Sequence, residues 1–217
     1  MSRKKTNKMH LYFRYLIVTL AISIALFSGI IFFNLNNAMS SAGEQVILSN
    51  KFYALKGKPT QLQKDLFKEL TIQVDKDVEY DLDLVGLVVK NFIADYYTWT
   101  NKQGPYDIGG GEFIFGHENL NFKQTSRRYF YSYMEPYISS GLSNTDLIEV
   151  ETIAPAIADF ASNYDYYGQT FSTFYVETSW TYKENTKIDT SVFPTRAAFV
   201  IVITESGRYE IVRFYEL

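Results

Sequence analysis

Hydrophobic and polar positions follow three patterns along the chain, and each predicts a different kind of element. Residues 15–33 contain no charged side chain, and at about 1.5 Å per residue a helix of this length crosses the roughly 30 Å hydrocarbon core of a membrane. Between residues 61 and 99 apolar residues recur at steps of three and four, which is typical of amphipathic helices. From residue 146 onward long β-type runs with period two predominate. The order predicts one transmembrane helix followed by an α+β domain.

The apolar run at residues 15–33 follows a tail, residues 1–14, with five basic side chains and no acidic one. The positive-inside rule places such a tail in the cytoplasm and everything after the run outside the cell membrane. We therefore predict a single-pass plasma-membrane protein, whose candidate anchor residues are Tyr15, Leu16, Phe27 and Phe33. A cleaved signal peptide is the alternative, because small residues follow the run. A membrane anchor that is retained is favoured over a cleaved signal peptide, since the apolar core of a signal peptide is usually only about 7–15 residues long.

Two helices are predicted in the next part of the chain. Residues 34–79 form a linker that contains a short amphipathic helix over residues 61–70, whose apolar face either packs on the domain or binds a partner. Packing is the favoured interpretation. The outer domain, residues 80–217, begins with the strongest helix pattern of the chain at residues 81–99. The wide apolar face of that helix predicts that it lies against a curved sheet.

The remaining pattern predicts a loop, a further helix and an antiparallel sheet. Glycine and proline at residues 101–111 predict the loop, with a flexible connection at Gly109-Gly110-Gly111. A second helix is predicted over residues 126–138, where Tyr129, Tyr133 and Tyr137 share one stripe, although Pro136 conflicts with its last part. Strands are predicted over residues 147–160, 170–183, 196–205 and 208–215, with a bulge or edge at Pro155 and a tight hairpin at residues 205–208. The fold is expected to be α+β, with a cone-like sheet around the long helix.

Composition and charge exclude several functional classes. The chain is 47% hydrophobic, 17% aromatic and 21% charged, unlike a disordered protein. It has no cysteine, which excludes disulfide scaffolds, zinc–thiolate sites and thiol nucleophiles. Beyond the basic tail, 16 of the 21 basic residues remain against all 24 acidic ones, a formal charge of −8. Nucleic acid is not an expected partner, because its phosphates require a cationic surface.

No residue pattern predicts catalysis, a cofactor or a metal site. His117 has no second histidine nearby in the sequence, whereas a general base needs an orienting partner and a metal site usually needs further ligands. The glycine run at residues 109–111 is not followed by the Lys-Ser/Thr of a phosphate-binding loop. Carboxylate pairs such as Glu149 and Glu151 lack the twelve-residue calcium-loop pattern. We therefore expect a protein that is not an enzyme.

Tyrosine clusters supply the main candidate interaction residues. The chain has 18 tyrosines and 17 phenylalanines, and tyrosine combines an apolar ring with a polar hydroxyl that suits both cores and interfaces. Tyr164, Tyr166 and Tyr167 fall in a predicted connection between strands, where nothing requires burial. They either contact a partner or fold over the mouth of the domain. Leu62 and Leu66, on the short amphipathic helix, are the other candidate contacts.

The layout of nearly the whole chain resembles a known family. A basic tail, one membrane helix, a linker, and the segment NFIADYYTW at residues 91–99 followed by long strands resemble the bitopic inner-membrane assembly factors of type IV secretion and conjugation systems. The resemblance implies an outer domain with the cone-shaped fold of nuclear transport factor two. It also implies a non-enzymatic scaffold that contacts membrane lipid, further copies of itself and other subunits of the assembly.

Two other functions are compatible with the same sequence. One is a surface-anchored module that binds a ligand or cell-wall polymer through exposed tyrosines and through Trp99 or Trp180. The other is a small-molecule isomerase or dehydratase of the same fold, with acidic residues in a pocket between helix and sheet. The candidate acids for that pocket are Glu149, Glu151, Asp159 and Glu177.

Overall fold

The computed structural model describes residues 46–185 and 187–217. The predicted basic tail and membrane span, with Tyr15, Leu16, Phe27 and Phe33, lie outside these residues. Among the residues that are described, no helix is both long enough and apolar enough to cross a membrane.

The described chain is α+β, as the sequence predicts. Its helices are α1 (Gln61–Val74), α2 (Leu82–Tyr96), α3 (Asn119–Tyr129) and α4 (Met134–Ser139). Its strands are β1 (Val46–Ser49), β2 (Ala54–Lys56), β3 (Val150–Ile153), β4 (Ile157–Phe160), β5 (Tyr164–Tyr166), β6 (Gln169–Phe171), β7 (Thr173–Tyr182), β8 (Arg196–Ile203) and β9 (Tyr209–Glu216).

The main sheet is antiparallel, with the order β3–β7–β8–β9 and with β4 also paired to β7. The predicted strand over residues 147–160 is divided into β3 and β4 around Pro155, which cannot donate a ladder hydrogen bond. This confirms the expected interruption. The predicted hairpin between the last two strands is also confirmed, with Gly207 at φ +80° in its turn. β1 pairs with β2 and β5 pairs with β6 in two small hairpins.

Helix α2 lies on the inner face of the main sheet. Asp81 caps the helix, because its side chain accepts a hydrogen bond from the backbone N–H of Leu84. The apolar face of α2 is fully buried and contacts β3, β4, β7 and β9. On β7, Phe174 and Val176 point into this core, whereas Tyr175 points outward. The predicted packing of a long helix on an antiparallel sheet is confirmed.

Helix α1 packs on α2 and extends four residues beyond the predicted end at residue 70. Thr60 and Gln63 form a reciprocal capping box at its start. Leu66 is only 7% exposed and is part of the buried face of α1, and Leu62 is partly buried against the same core. The domain therefore uses both leucines, which the sequence offers as partner contacts, for its own packing.

The predicted continuous helix over residues 126–138 is wrong. Helix α3 begins earlier, at Asn119, and a 3-10 turn at Tyr131–Tyr133 separates it from α4. The neighbouring residues Phe130 and Tyr131 are both buried, and two adjacent side chains cannot both lie at the centre of one apolar stripe of a straight helix. Pro136 is tolerated because it lies in the first turn of α4, where an N–H has no partner within the helix.

The carboxylate of Asp95, near the end of α2, joins three parts of the chain. One oxygen accepts hydrogen bonds from Lys102 Nζ at 2.5 Å and from Gln63 Nε2 of α1 at 3.1 Å. The other accepts from the backbone N–H of Gly110 at 2.6 Å. Lys102 is 5% exposed, so its charge depends on this carboxylate for compensation.

The glycine run beside Asp95 is a fixed, buried segment, and the expectation of a flexible connection there is wrong. A Cβ atom at Gly109 would collide with the carbonyl oxygen of Asp95, and one at Gly110 would lie 2.6 Å from the ring of Phe92. Gly110 also has φ +76°, a conformation that favours glycine. The backbone N–H of Gly109 donates to the Tyr131 hydroxyl at 2.8 Å, which locks the loop to the turn between α3 and α4.

Replacing Asp95 with alanine should lower the free energy of unfolding by about 3–5 kcal/mol, because Lys102 would be left buried without its counter-charge. Denaturant unfolding monitored by circular dichroism measures this. Asp65→Ala is the matched control, since Asp65 pairs with the exposed Lys68 at 3.5 Å, and we expect it to change stability by less than about 1 kcal/mol. Equal losses for the two variants would contradict this role of Asp95.

Candidate functional site

A groove of about 800 Å³ lies between β9 and the helices α3 and α4. Its volume falls within the range of about 300–1,000 Å³ that is common for binding sites. One wall is formed by side chains of the helical segment between residues 118 and 137, and the other by Val212 to Glu216 of β9. Tyr96, Ile114 and residues 192–194 complete the lining.

Aromatic side chains form most of the helical wall. Tyr96 and Phe130 are buried at its base, whereas Tyr129 and Tyr133 are 64% and 61% exposed at its rim. Tyr137 continues the same wall. The tyrosine stripe that the sequence places at residues 129, 133 and 137 does therefore face one site, even though the helix that carries it is interrupted.

The carboxylate of Glu216 lines the groove, and its pKa is raised. Its Oε1 accepts a hydrogen bond from the hydroxyl of Tyr97 at 2.8 Å. Partial burial raises the pKa of Glu216, and the hydrogen bond from Tyr97 acts in the opposite direction. Tyr97 itself is fully buried, which holds its pKa well above the ordinary value and keeps it a neutral donor.

The other charged residues of the lining are Glu118 and Arg213. The guanidinium carbon of Arg213 lies 5.7 Å from the centre of the Tyr164 ring. That ring belongs to the β5–β6 hairpin, which packs on the outer face of the sheet. The lining therefore contains two carboxylates, those of Glu118 and Glu216, against the single guanidinium of Arg213, and its net charge is negative.

The tyrosines at residues 164–167 form a hairpin between β4 and β7, and the expectation that nothing there requires burial is wrong. Tyr164 and Tyr166 are partly buried against a second apolar cluster, which comprises Phe115, Phe171, Val202 and Val212. The ring of Tyr166 lies 5.2 Å from that of His117. Tyr167, at the tip, is 93% exposed. The three candidate residues are therefore placed together, but one alone is fully presented to solvent.

The residues considered for the two alternative functions do not converge on the groove. Trp99 and Trp180 are 0% and 3% exposed, so the expectation that they present a sugar-binding surface is wrong. Glu149 pairs with Lys183 at 2.6 Å, and Glu177 pairs with Arg196 on the outer face of the sheet. Glu151 and Asp159 are exposed strand residues.

Within residues 46–185 and 187–217, no cluster of three or more metal-ligating side chains is present.

Neither Glu216, Tyr97 nor the edge of β9 carries a local sequence signal that marks it as part of a site. Period-two alternation predicts the strand itself, but it does not show which strand lies at the edge of the sheet. The pairing of Tyr97 with Glu216 joins residues 119 positions apart, so no local pattern could have revealed it.

Comparisons of the chain with protein-family models, with curated proteins and with solved structures give no match.

Replacing Glu216 with glutamine should stabilise the protein at pH 7 and have a smaller effect near pH 4. Because the pKa of Glu216 is raised in the folded state, folding takes up a proton. The free energy of unfolding therefore falls as the pH rises above about 4.3, the pKa of a glutamate in the unfolded chain. Glutamine retains an acceptor for Tyr97 and removes the charge. Thermal unfolding at the two pH values measures the difference. Glu151→Gln, at an exposed strand position, is the control, and a pH-independent effect of Glu216→Gln would contradict the assignment.

Proposed function

We propose that this chain is a non-enzymatic, membrane-anchored structural subunit of a type IV secretion or conjugative transfer assembly. In this proposal residues 15–33 cross the plasma membrane, the basic tail lies in the cytoplasm, and the α+β domain outside associates with itself and with other subunits. The charge pattern of residues 1–33 supports the anchor and its orientation. The packing of α2, with its buried aromatic end, on an antiparallel sheet supports a cone-like outer domain.

The backbone conformation and the exposure of Tyr167 are the main support for the proposed contact with a partner. Tyr167 and Gly168 are the two central residues of the β5–β6 turn, and their φ values are +45° and +84°. A turn with two positive φ values strongly favours Asn-Gly, and a bulky residue in this conformation is unusual. The Tyr167 ring is 93% exposed and contacts the edge of the neighbouring Tyr166 ring. Its conformation is therefore unfavourable and its burial negligible, which indicates a role outside the domain's own folding.

A second exposed aromatic pair supports an additional contact. Phe160 on β4 is 64% exposed, and Tyr80, which precedes α2, is 45% exposed. Their ring centres lie 6.3 Å apart. Neighbouring exposed apolar side chains of this kind are common where subunits meet.

A surface-anchored binding module is the second candidate function, and the aromatic groove favours it. Exposed tyrosines on the helical wall and a carboxylate at Glu216 provide a few polar groups within a mostly apolar lining, as binding sites do. An isomerase or dehydratase is supported less, since Glu118 and Glu216 are not joined by a histidine among the described groove residues.

Tyr167→Asn tests the structural-subunit proposal, because asparagine suits the positive φ while removing the ring. In cells that carry the full-length protein, chemical crosslinking followed by mass spectrometry should capture the protein itself and other membrane-assembly subunits. We expect Tyr167→Asn to reduce this capture several-fold without lowering the melting temperature. Tyr106→Asn is the control, since Tyr106 is a 70% exposed loop tyrosine. Unchanged capture with Tyr167→Asn, or capture of the monomer alone from the unsubstituted protein, would overturn the proposal.

A further inference from the structure

Five consecutive residues of β9, from Val212 to Glu216, line the groove. Successive side chains of a strand point to opposite faces of its sheet, so a cavity on one face would be lined by every second residue. A run of five consecutive residues can line one cavity when the strand presents its edge. The groove therefore runs along the backbone edge of β9.

The chain covers the first half of this edge and leaves the second half open. Ile114 forms a parallel bridge with Ile211, and the backbone N–H of Phe115 donates to the carbonyl of Ile211 at 2.9 Å. The N–H of Gly116 donates to the side chain of Glu210 at 3.2 Å. Beyond Ile211, no strand among residues 46–185 and 187–217 pairs with this side of β9.

The open backbone groups face the groove. The N–H of Leu217 donates to the carbonyl of Arg196, the residue that begins β8, at 3.0 Å. Because N–H directions alternate along a strand, the N–H groups of Phe214 and Glu216 point away from β8 and toward the groove. An unpaired row of this kind is a template for another strand.

The position of the groove suits one extended chain. Five residues of an antiparallel strand extend about 17 Å. Neighbouring strands lie about 4.8 Å apart, so a chain of this length beside β9 would lie in the groove, between β9 and the helical wall.

The charged and aromatic side chains that line the groove determine which side chains a bound strand should carry. The carboxylates of Glu118 and Glu216 outnumber the one guanidinium of the lining, that of Arg213, which lies near the ring of Tyr164. Tyr129 and Tyr133 offer aromatic faces, which attract both apolar side chains and cations. Basic residues that alternate with apolar ones complement this combination.

We propose that the groove binds an extended segment of a partner protein, in which apolar and basic residues alternate, as an added strand on the edge of β9. Main-chain hydrogen bonds to Phe214 and Glu216 supply the pairing, and the tyrosine wall selects the side chains, as in other cases of strand addition. This inference does not depend on the membrane anchor or on the contact proposed for Tyr167.

The test uses the full-length protein in detergent micelles and an array of peptides about seven residues long, a common strand length. In each peptide Val, Ile, Phe or Tyr alternates with Lys or Arg. We expect several members to bind, and N-methylation at the alternate residues that pair with β9 should weaken binding at least about tenfold. Equal binding of the N-methylated peptides, preference for matched peptides that carry Glu in place of Lys, or no binding across the array would overturn the proposal.

A variant with a bulky side chain in the groove shows whether the peptides bind there or at another surface of the protein. Thr125 on α3 lines the groove and is exposed, whereas the neighbouring exposed residue Gln124 is not part of the lining. Thr125→Trp should weaken binding of the best peptide at least about tenfold, while Gln124→Trp leaves it unchanged. Tyr167→Asn should also leave peptide binding unchanged, which distinguishes failure of this inference from failure of the proposed function. Equal peptide affinities for the Thr125→Trp and Gln124→Trp proteins, both folded by circular dichroism, would contradict the site.

Discussion

The carboxylate of Asp95 is the interaction on which the arrangement of the domain depends. It compensates the buried charge of Lys102 and also accepts hydrogen bonds from α1 and from the glycine loop. That loop in turn donates from Gly109 to the hydroxyl of Tyr131, which donates to the carbonyl of Tyr96 at 2.8 Å. The position of the turn between α3 and α4, and with it the tyrosine wall of the groove, thus follows from one half-buried ion pair. Such a network is rigid when every member is satisfied and costly when one is removed.

The abundant aromatic residues serve three separate purposes. Those on the inner face, such as Phe92 and Phe199 with ring centres 5.8 Å apart, form the core between α2 and the sheet. Tyr164 and Tyr166 cover a second apolar cluster on the outer face. Tyr167 at the hairpin tip and Tyr129 and Tyr133 along the groove are exposed, and they add little to folding. Burial thus accounts for the first two groups, and recognition is the role that we propose for the third.

Local periodicity was sufficient to predict α2 and the long strands, because their apolar residues face one continuous core, and the turn residues at 205–208 were sufficient to predict the hairpin at Gly207. It failed where the structure depends on distant neighbours. The glycine run resembles a flexible linker in sequence, yet the close approach of Gly109 to the Asp95 carbonyl fixes it. The helix over residues 126–138 is broken because Phe130 and Tyr131 are both buried. The β5–β6 hairpin does have a local signal, since alternating residues flank Tyr167-Gly168. The open edge of β9 has none, because strand order is a property of the whole sheet.

We propose that the amino-terminal span carries the α+β domain outside the plasma membrane, and the absence of cysteine from the chain allows a direct measurement. Ser206→Cys places a single thiol in the exposed β8–β9 turn, and Ser2→Cys places one in the basic tail. A membrane-impermeant maleimide applied to intact cells should label the first variant at once and the second only after permeabilisation. Labelling of Ser206→Cys only after permeabilisation would contradict the account.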